Sequence, residues 1–98
     1  MIENLHKETC VELLNTKFRL LEAAPGLELE LVAVEGPGIE KGEERFSLIF
    51  RGPLEQPFAQ GLWTLEHDKL GALGLFLVPI AREPDGMRYE AAFSRFAE

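Results

Sequence analysis

Glu66-His67-Asp68 is the one acid–histidine–acid run in this 98-residue chain, and it is where metal or general-base chemistry would be sought first. A metal site needs three or four ligands converging at defined spacings. On a strand, Glu66 and His67 point to opposite faces, so these neighbours cannot chelate one ion; a polar turn capping strand ends explains them better. His6 and Cys10 lie four apart and could share one face of a helix. A Cys–His nucleophile pair would also need an orienting residue and an oxyanion hole, for which the chain carries no signature; a small buried thiol suits Cys10 better. The glycines form no phosphate cradle. Gly36-Pro37-Gly38 lacks the flanking helix and lysine of a P-loop, and Gly71 and Gly74 lack a strand–loop–helix setting. Ser47 and Ser94, the two serines, sit in no nucleophile elbow. The expectation is a protein without catalytic residues, metal or cofactor.

The elements that would position these groups are mostly strands. Leu5, Cys10, Leu13 and Leu14 share a broad apolar stripe, which predicts a helix over 5–14; the Thr9/Glu12 capping-box spacing allows a later start. Lys17 to Glu22 alternates and reads as a strand, followed by a turn at Ala23-Ala24-Pro25-Gly26. Leu27, Leu29 and Leu31 face one way while Glu28 and Glu30 face the other, a half-buried strand continuing to Val34. A loop is expected from Gly36-Pro37-Gly38 through the charged residues to Glu44, then a strand over 45–51. A second loop, Pro53 to Gly61, precedes a strand over 62–66 with Trp63 and Leu65 on one face. The last two strands, 72–82 and 87–96, flank the turn Glu83-Pro84-Asp85-Gly86. With Arg82 opposite Met87, Ile80 would face Tyr89, Val78 would face Ala91 and Phe76 would face Phe93, one continuous apolar face. The other face, with Leu73, Leu75 and Leu77, is apolar too. A strand apolar on both sides must be covered on both, either by a second sheet and the N-terminal helix or by another chain. Pro79 cannot donate to a ladder, which favours an edge or bulge there. The fold class is therefore mainly β: a single domain over 1–98, an antiparallel β-sandwich or small barrel of about six strands with one short N-terminal helix.

Composition agrees with a globular domain that keeps away from anionic partners. Hydrophobic residues make up 46% of the chain, enough for one core. The formal net charge is −7, and the stretch Glu22 to Glu44 holds seven Glu against one base, Lys41. Such a surface repels phosphate backbones and anionic lipid, so neither nucleic acid nor membrane is an expected partner. A solvated acidic face accounts for these residues; recognition of a basic partner is the sharper alternative. One cysteine forbids an intramolecular disulfide, the N-terminus lacks the pattern of a signal peptide, and the longest apolar run, Ala72 to Ala81, is too short to span a bilayer. A cytoplasmic location is expected.

Phe46-Ser47-Leu48-Ile49-Phe50-Arg51-Gly52-Pro53, Gly61-Leu62-Trp63-Thr64-Leu65-Glu66-His67, Leu70-Gly71, Phe76-Leu77-Val78-Pro79 and Arg88-Tyr89-Glu90-Ala91-Ala92-Phe93 carry a resemblance over nearly the whole chain, with Leu5, Glu8 and Phe18 in place at the start. Together they resemble a family of small uncharacterised bacterial domains of unknown function. The resemblance implies association with phage-tail-collar-like fibre proteins, hence an accessory or assembly role and no enzyme activity. The expected function is non-enzymatic protein binding or assembly, as a monomer or homodimer, with another bacterial protein, such as a tail-fibre-like one, as partner. Its expected contact residues are Leu54 and Phe58 in the second loop, where plugging a barrel end is the equal alternative, Leu75 and Leu77 on the open face of the last hairpin, and Glu28 and Glu30 on the acidic strand face. The alternative is a small-ligand-binding β-barrel with Trp63 and Tyr89 in its pocket.

Overall fold

Apolar residues recur at the inward-facing, every-second positions of the strands. The computed structural model describes residues 5–22 and 26–96. A short helix, α1 (Lys7–Val11), precedes six antiparallel strands: β1 (Lys17–Leu20), β2 (Glu28–Glu40), β3 (Glu43–Gly52), β4 (Gly61–His67), β5 (Gly71–Glu83) and β6 (Gly86–Phe96). They are hydrogen-bonded in the order β1-β2-β3-β6-β5-β4, and β1 returns to β4 through Arg19↔Glu66 and Leu20↔Leu65. The protein is therefore mainly antiparallel β with one short N-terminal helix, and its sheet is a closed ring rather than two stacked layers. Residues 23–25 of the expected turn lie outside the described residues.

One side chain in two points inward. Phe18, Leu20, Leu29, Leu31, Phe46, Leu48, Phe50, Leu65, Leu75, Leu77 and Tyr89 fill the interior, and Leu5, Cys10 and Leu13 of the N-terminal segment join the same core. Phe18 meets Phe50 edge-on at 5.1 Å between ring centres.

The helix is shorter than its apolar stripe suggests. Asn15 adopts the left-handed conformation (φ 69°), and its amide donates to Leu31 O, so the chain has already swung into β pairing by residue 15. Thr9 lies inside the helix rather than capping it, and His6 at the N-cap makes no side-chain cap bond. The cap comes from another strand: the Lys7 amide donates to Glu44 Oε2 at 3.2 Å.

Two further departures have one physical cause, the bulge. The segment expected as a loop from Gly36 to Glu44 is instead the far end of a long β2–β3 hairpin. Gly36 (φ 106°) and Gly38 (φ 80°) absorb the irregularity between Glu35 and Gly38, and pairing resumes from Gly38↔Arg45 to Glu40↔Glu43. Pro37 falls in the unpaired stretch, where its missing donor costs nothing. Lys41 and Gly42, both at positive φ, then close a two-residue turn whose twist matches that of the flanking strands. In the last hairpin Arg82 does pair with Met87, as expected, but a shift between Pro79 and Ala81 leaves Ile80 extra, so Pro79 faces Tyr89 and Val78 faces Glu90. Before that bulge β5 pairs with β4 rather than β6, from Gly61↔Leu77 to His67↔Gly71. The expected continuous face of Phe76, Val78, Ile80 and their β6 partners therefore does not form. A one-residue slip reverses which side chains face the core.

Candidate functional site

The bulge at Ile80 decides where the expected contact residues lie. Leu75 and Leu77 are buried in the core and present no open face; this corrects the expectation that they form a docking surface. Phe58 is half-buried over Tyr89: the rings stack at 3.9 Å and 5°, and the Phe58 amide donates to the Tyr89 hydroxyl at 3.2 Å. Trp63 meets Phe58 edge-on at 5.0 Å and donates its indole N–H to Ala59 O. Phe58 thus acts as a lid on the core, and Trp63 and Tyr89 pack through it rather than lining a common pocket. Leu54 is half-buried in the same loop. Glu28 stands exposed opposite Arg19, while Glu30 is half-buried and held by Arg51 and by Lys17 at 3.8 Å. Arg51 continues to Asp85, and Asp85 to Arg88. The acidic strand face is therefore laced with bases, and the excess negative charge lies elsewhere.

The acid–histidine–acid run splits as strand alternation requires. Glu66 and Asp68 both grip Arg19, at 3.1 and 3.0 Å, on the outside of the ring. His67 turns inward, buried, with its ring tilted against Phe18 at 4.5 Å. The Lys69 amide donates to His67 Nδ1, so that nitrogen carries no proton and Nε2–H must be the donor to Thr16 Oγ at 2.9 Å. Thr16 donates onward to Leu13 O at 2.6 Å. Every donor has one acceptor, which makes His67 a neutral structural residue joining the α1–β1 connection to the end of β4. Burial holds its pKa below the usual 6.5. The unfolded chain takes up this proton at about pH 6.5 and the folded one only at lower pH, so His67 stabilises the fold above that value and the contribution falls as pH drops through the folded pKa. His67→Ala should cost about 2 kcal/mol at pH 8. Urea unfolding from pH 8 down to pH 5 should show wild type and variant converging; parallel curves would refute the assignment.

Cys10 is fully buried, and burial is the main cause of a thiol pKa raised to about 11, with Arg95 pulling it down and Glu44 pushing it up. Beside it, Glu44 is a carboxylate only 4% exposed. Its Oε1 accepts from His6 Nδ1 at 3.0 Å and from Arg95 Nε at 3.1 Å, its Oε2 accepts from the Lys7 amide, and Arg95 Nη2 reaches back to Leu5 O. Burial alone would raise this carboxyl; the His6, Lys7 and Arg95 contacts outweigh it and hold the pKa below the usual value. These contacts fasten the N-terminal segment across β3 and β6. A cavity of about 230 Å³ next to the fastening is lined by His6, Lys7, Glu8, Pro37, Gly38, Ile39 and Glu44.

The outer face of β4 and β5 is the surface that strand alternation alone did not single out. Leu62, 74% exposed, stands directly opposite Phe76, 53% exposed. In the next row Thr64 faces Gly74, where a Cβ would lie 3.8 Å from the Leu62 side chain, so Leu62 leans over a glycine floor. The Leu21 amide donates to Thr64 O, which sets half-exposed Leu21 beside this row, and Ile80 projects from the bulge farther along β5. Several large apolar side chains on adjoining strands of one face form a patch, not the scattered singles that any soluble surface carries. The signal was present in the two-sided apolar character of β5; only the bulge says which side faces out. The exposed side is that of Phe76 and Ile80.

None of the helices among the described residues is long and apolar enough to cross a membrane. No curated protein and no solved structure matches the chain. A model of the family described as a domain of unknown function, DUF6916, matches residues 5–93, from the residue whose carbonyl Arg95 holds to the Phe93 ring stacked on Phe46. The match takes in α1, β1 to β5 and most of β6, and the chain belongs to the DUF6916 family.

Proposed function

We propose that this chain is a non-enzymatic protein-binding module, acting as an accessory in the assembly of a larger bacterial protein in the cytoplasm. The observation that carries this reading is the exposed Leu62–Phe76 pair with Leu21 and Ile80 on the outer face of β4 and β5. The core is satisfied without these side chains, so their exposure serves no purpose in folding. Their burial against a partner would release ordered water at about 25 cal/mol per Å² of apolar surface. The resemblance to domains associated with phage-tail-collar-like fibre proteins suggests a tail-fibre-like protein as that partner.

The test is capture of bound proteins on the wild-type chain from its native cell, compared with Leu62→Ser and Phe76→Ser. Each substitution should reduce recovery of the specific partner at least about tenfold, the equivalent of 1.4 kcal/mol, while the thermal midpoint stays within a few degrees. Equal recovery by wild type and both variants would overturn the assignment of this face.

A further inference from the structure

Strand β6 is paired along the whole of one edge and only part of the other. β3 follows it from Gly52↔Met87 to Glu43↔Phe96. β5 follows it from Glu83↔Gly86 only to Val78↔Glu90, and beyond the bulge β5 leaves to pair with β4. Among the described residues, no strand pairs with the second edge of Ala91 to Phe96. Because Glu83 and Gly86 close the hairpin around a two-residue turn, the Gly86 backbone points toward β5. Strand alternation then aims the backbone groups of Ala92, Ser94 and Phe96 to that same side, into the unpaired edge.

Of the protections that isolate edge strands, this edge lacks lysines, proline and a bulge, and its inward charge, Arg95, is paired within its own chain. In a chain of net charge −7, its one ionised residue is Arg95, and that side chain is turned to Glu44. Ala92, Ser94 and Phe96 share the outer face, and Phe96 is 87% exposed. On the same face lies a shallow groove of about 350 Å³, lined by Pro37, Ser47, Ala92 and Ser94 together with Arg45. The edge therefore offers unpaired backbone, an aromatic ring without cover, and a groove with small residues beneath it.

We propose that β6 pairs edge to edge with β6 of a second copy, antiparallel and centred on Ser94. A two-fold axis at Ser94 sets Ala92 opposite Phe96 of the copy and Phe93 opposite Arg95. Ala92, Ser94 and Phe96 supply all the outward amides and carbonyls, so their register is the one in which directly opposed residues exchange both hydrogen bonds. Each Phe96 ring then lies over the other copy's Ala92, beside Ser47 and along the groove; Ser47 and Ala92 are themselves cross-strand partners. No like charges stand opposite one another. Arg45, next to Ser94 on β3, is separated from its copy by three strand spacings, about 14 Å, beyond the screening length at physiological salt. A pairing of two short strands buries little area, so the dimer dissociates on dilution in the micromolar range.

The test is light scattering of the wild-type chain over a dilution series from about 300 to 1 μM, with residue-resolved amide exchange at both ends. The expected result is a mass that rises with concentration to twice that of one chain, with the amides of Ala92, Ser94 and Phe96 slowing in step. Ser94→Pro removes an outward donor without touching the β3 ladder, and Ala92→Glu puts a charge beneath the partner's Phe96. Both should remain monomeric with a near-native thermal midpoint; if the proline variant does not fold, Ala92→Glu alone decides. A wild-type chain that stays monomeric throughout overturns the proposal. So does a dimer that persists in the edge variants, or one abolished by Leu62→Ser instead, which would assign self-association to the β4–β5 face.

Discussion

Tyr89→Ala is expected to lower the folding free energy by about 3–5 kcal/mol, a large share of the 5–15 kcal/mol typical of a domain. Three independent features of the fold meet on this ring. It is fully buried, on a strand residue that pairs with Phe50 on one side and Pro79 on the other. It is the surface on which Phe58 stacks, and through Phe58 it positions Trp63. It also packs close against Gly52, where an added Cβ would lie 3.1 Å from the ring and 2.8 Å from Leu29 Cδ2. Truncation therefore leaves a cavity that neither neighbour can fill without moving a strand, and it removes the support of the lid. Tyr89→Phe keeps the ring and deletes only the acceptor of the Phe58 amide, which should cost about 1 kcal/mol. Burial raises the Tyr89 pKa, so the difference between Tyr and Phe should not change with pH up to about 10. Guanidinium unfolding followed by Trp63 emission measures both. In Tyr89→Ala the native baseline should also shift to the red as the indole loses its packing against Phe58; an unshifted emission would mean that the lid stands without Tyr89.

The same ring illustrates what could be read from the chain and what could not. Alternation located the earlier strands and the apolar runs flanking a turn located the last two, because each has an inward set such as Leu27-Leu29-Leu31 or Leu73-Leu75-Leu77 that must leave water. Turn chemistry located the Glu83–Gly86 reversal. What alternation cannot supply is its own phase across an irregularity. Gly36-Pro37-Gly38 has the composition of a loop, yet two glycines at positive φ let β2 continue through it, and the turn falls at Lys41-Gly42 instead. Pro79 advertised a bulge, but whether Ile80 or its neighbour is expelled depends on which register best buries Tyr89 and Leu77 together, a tertiary matter. One displaced residue was enough to exchange the roles of Leu75 and Phe76. The lid was legible only as one of two readings: a phenylalanine in a loop has no periodicity, and whether Phe58 plugs the end of the ring or stands exposed is decided by the distant ring and hydroxyl of Tyr89. Nor does Glu44 differ in local sequence from the exposed Glu40 and half-buried Glu43 around it; the partners that bury it come from 38 residues upstream and 51 downstream.

Those distant partners make Glu44 the second position of large effect. Its carboxylate completes the first turn of α1, neutralises Arg95 and anchors His6, all at a site nearly closed to water. Glu44→Ala leaves the guanidinium of Arg95 without its acid and the Lys7 amide without an acceptor. Losing one partner of a fully buried pair costs about 3–5 kcal/mol, and the partial exposure of Arg95 brings the expected loss below that range, to about 2–3 kcal/mol. For a domain of this size that is a fall in thermal midpoint of roughly 10–20 °C. Glu44→Gln should recover only part of it: the amide oxygen can still accept from Arg95, but the NH₂ group then confronts the Lys7 N–H, donor against donor. The pH dependence follows in sign. Since the folded pKa is depressed, the carboxylate's contribution is complete above about pH 4.5, the value for the unfolded chain, and is lost as pH falls through the folded value. Cys10 separates local detachment from global unfolding. Its thiol is buried and its pKa is about 11, so in the wild type a thiol reagent at pH 8 should react only through rare openings. If the Glu44 contacts are what hold the N-terminal segment down, labelling in Glu44→Ala should accelerate by at least about tenfold in the absence of denaturant, and by more than the loss of global stability accounts for. Labelling that tracks global unfolding alone would mean that the apolar contacts of Leu5, Cys10 and Leu13 hold the segment, with Glu44 serving only to neutralise Arg95.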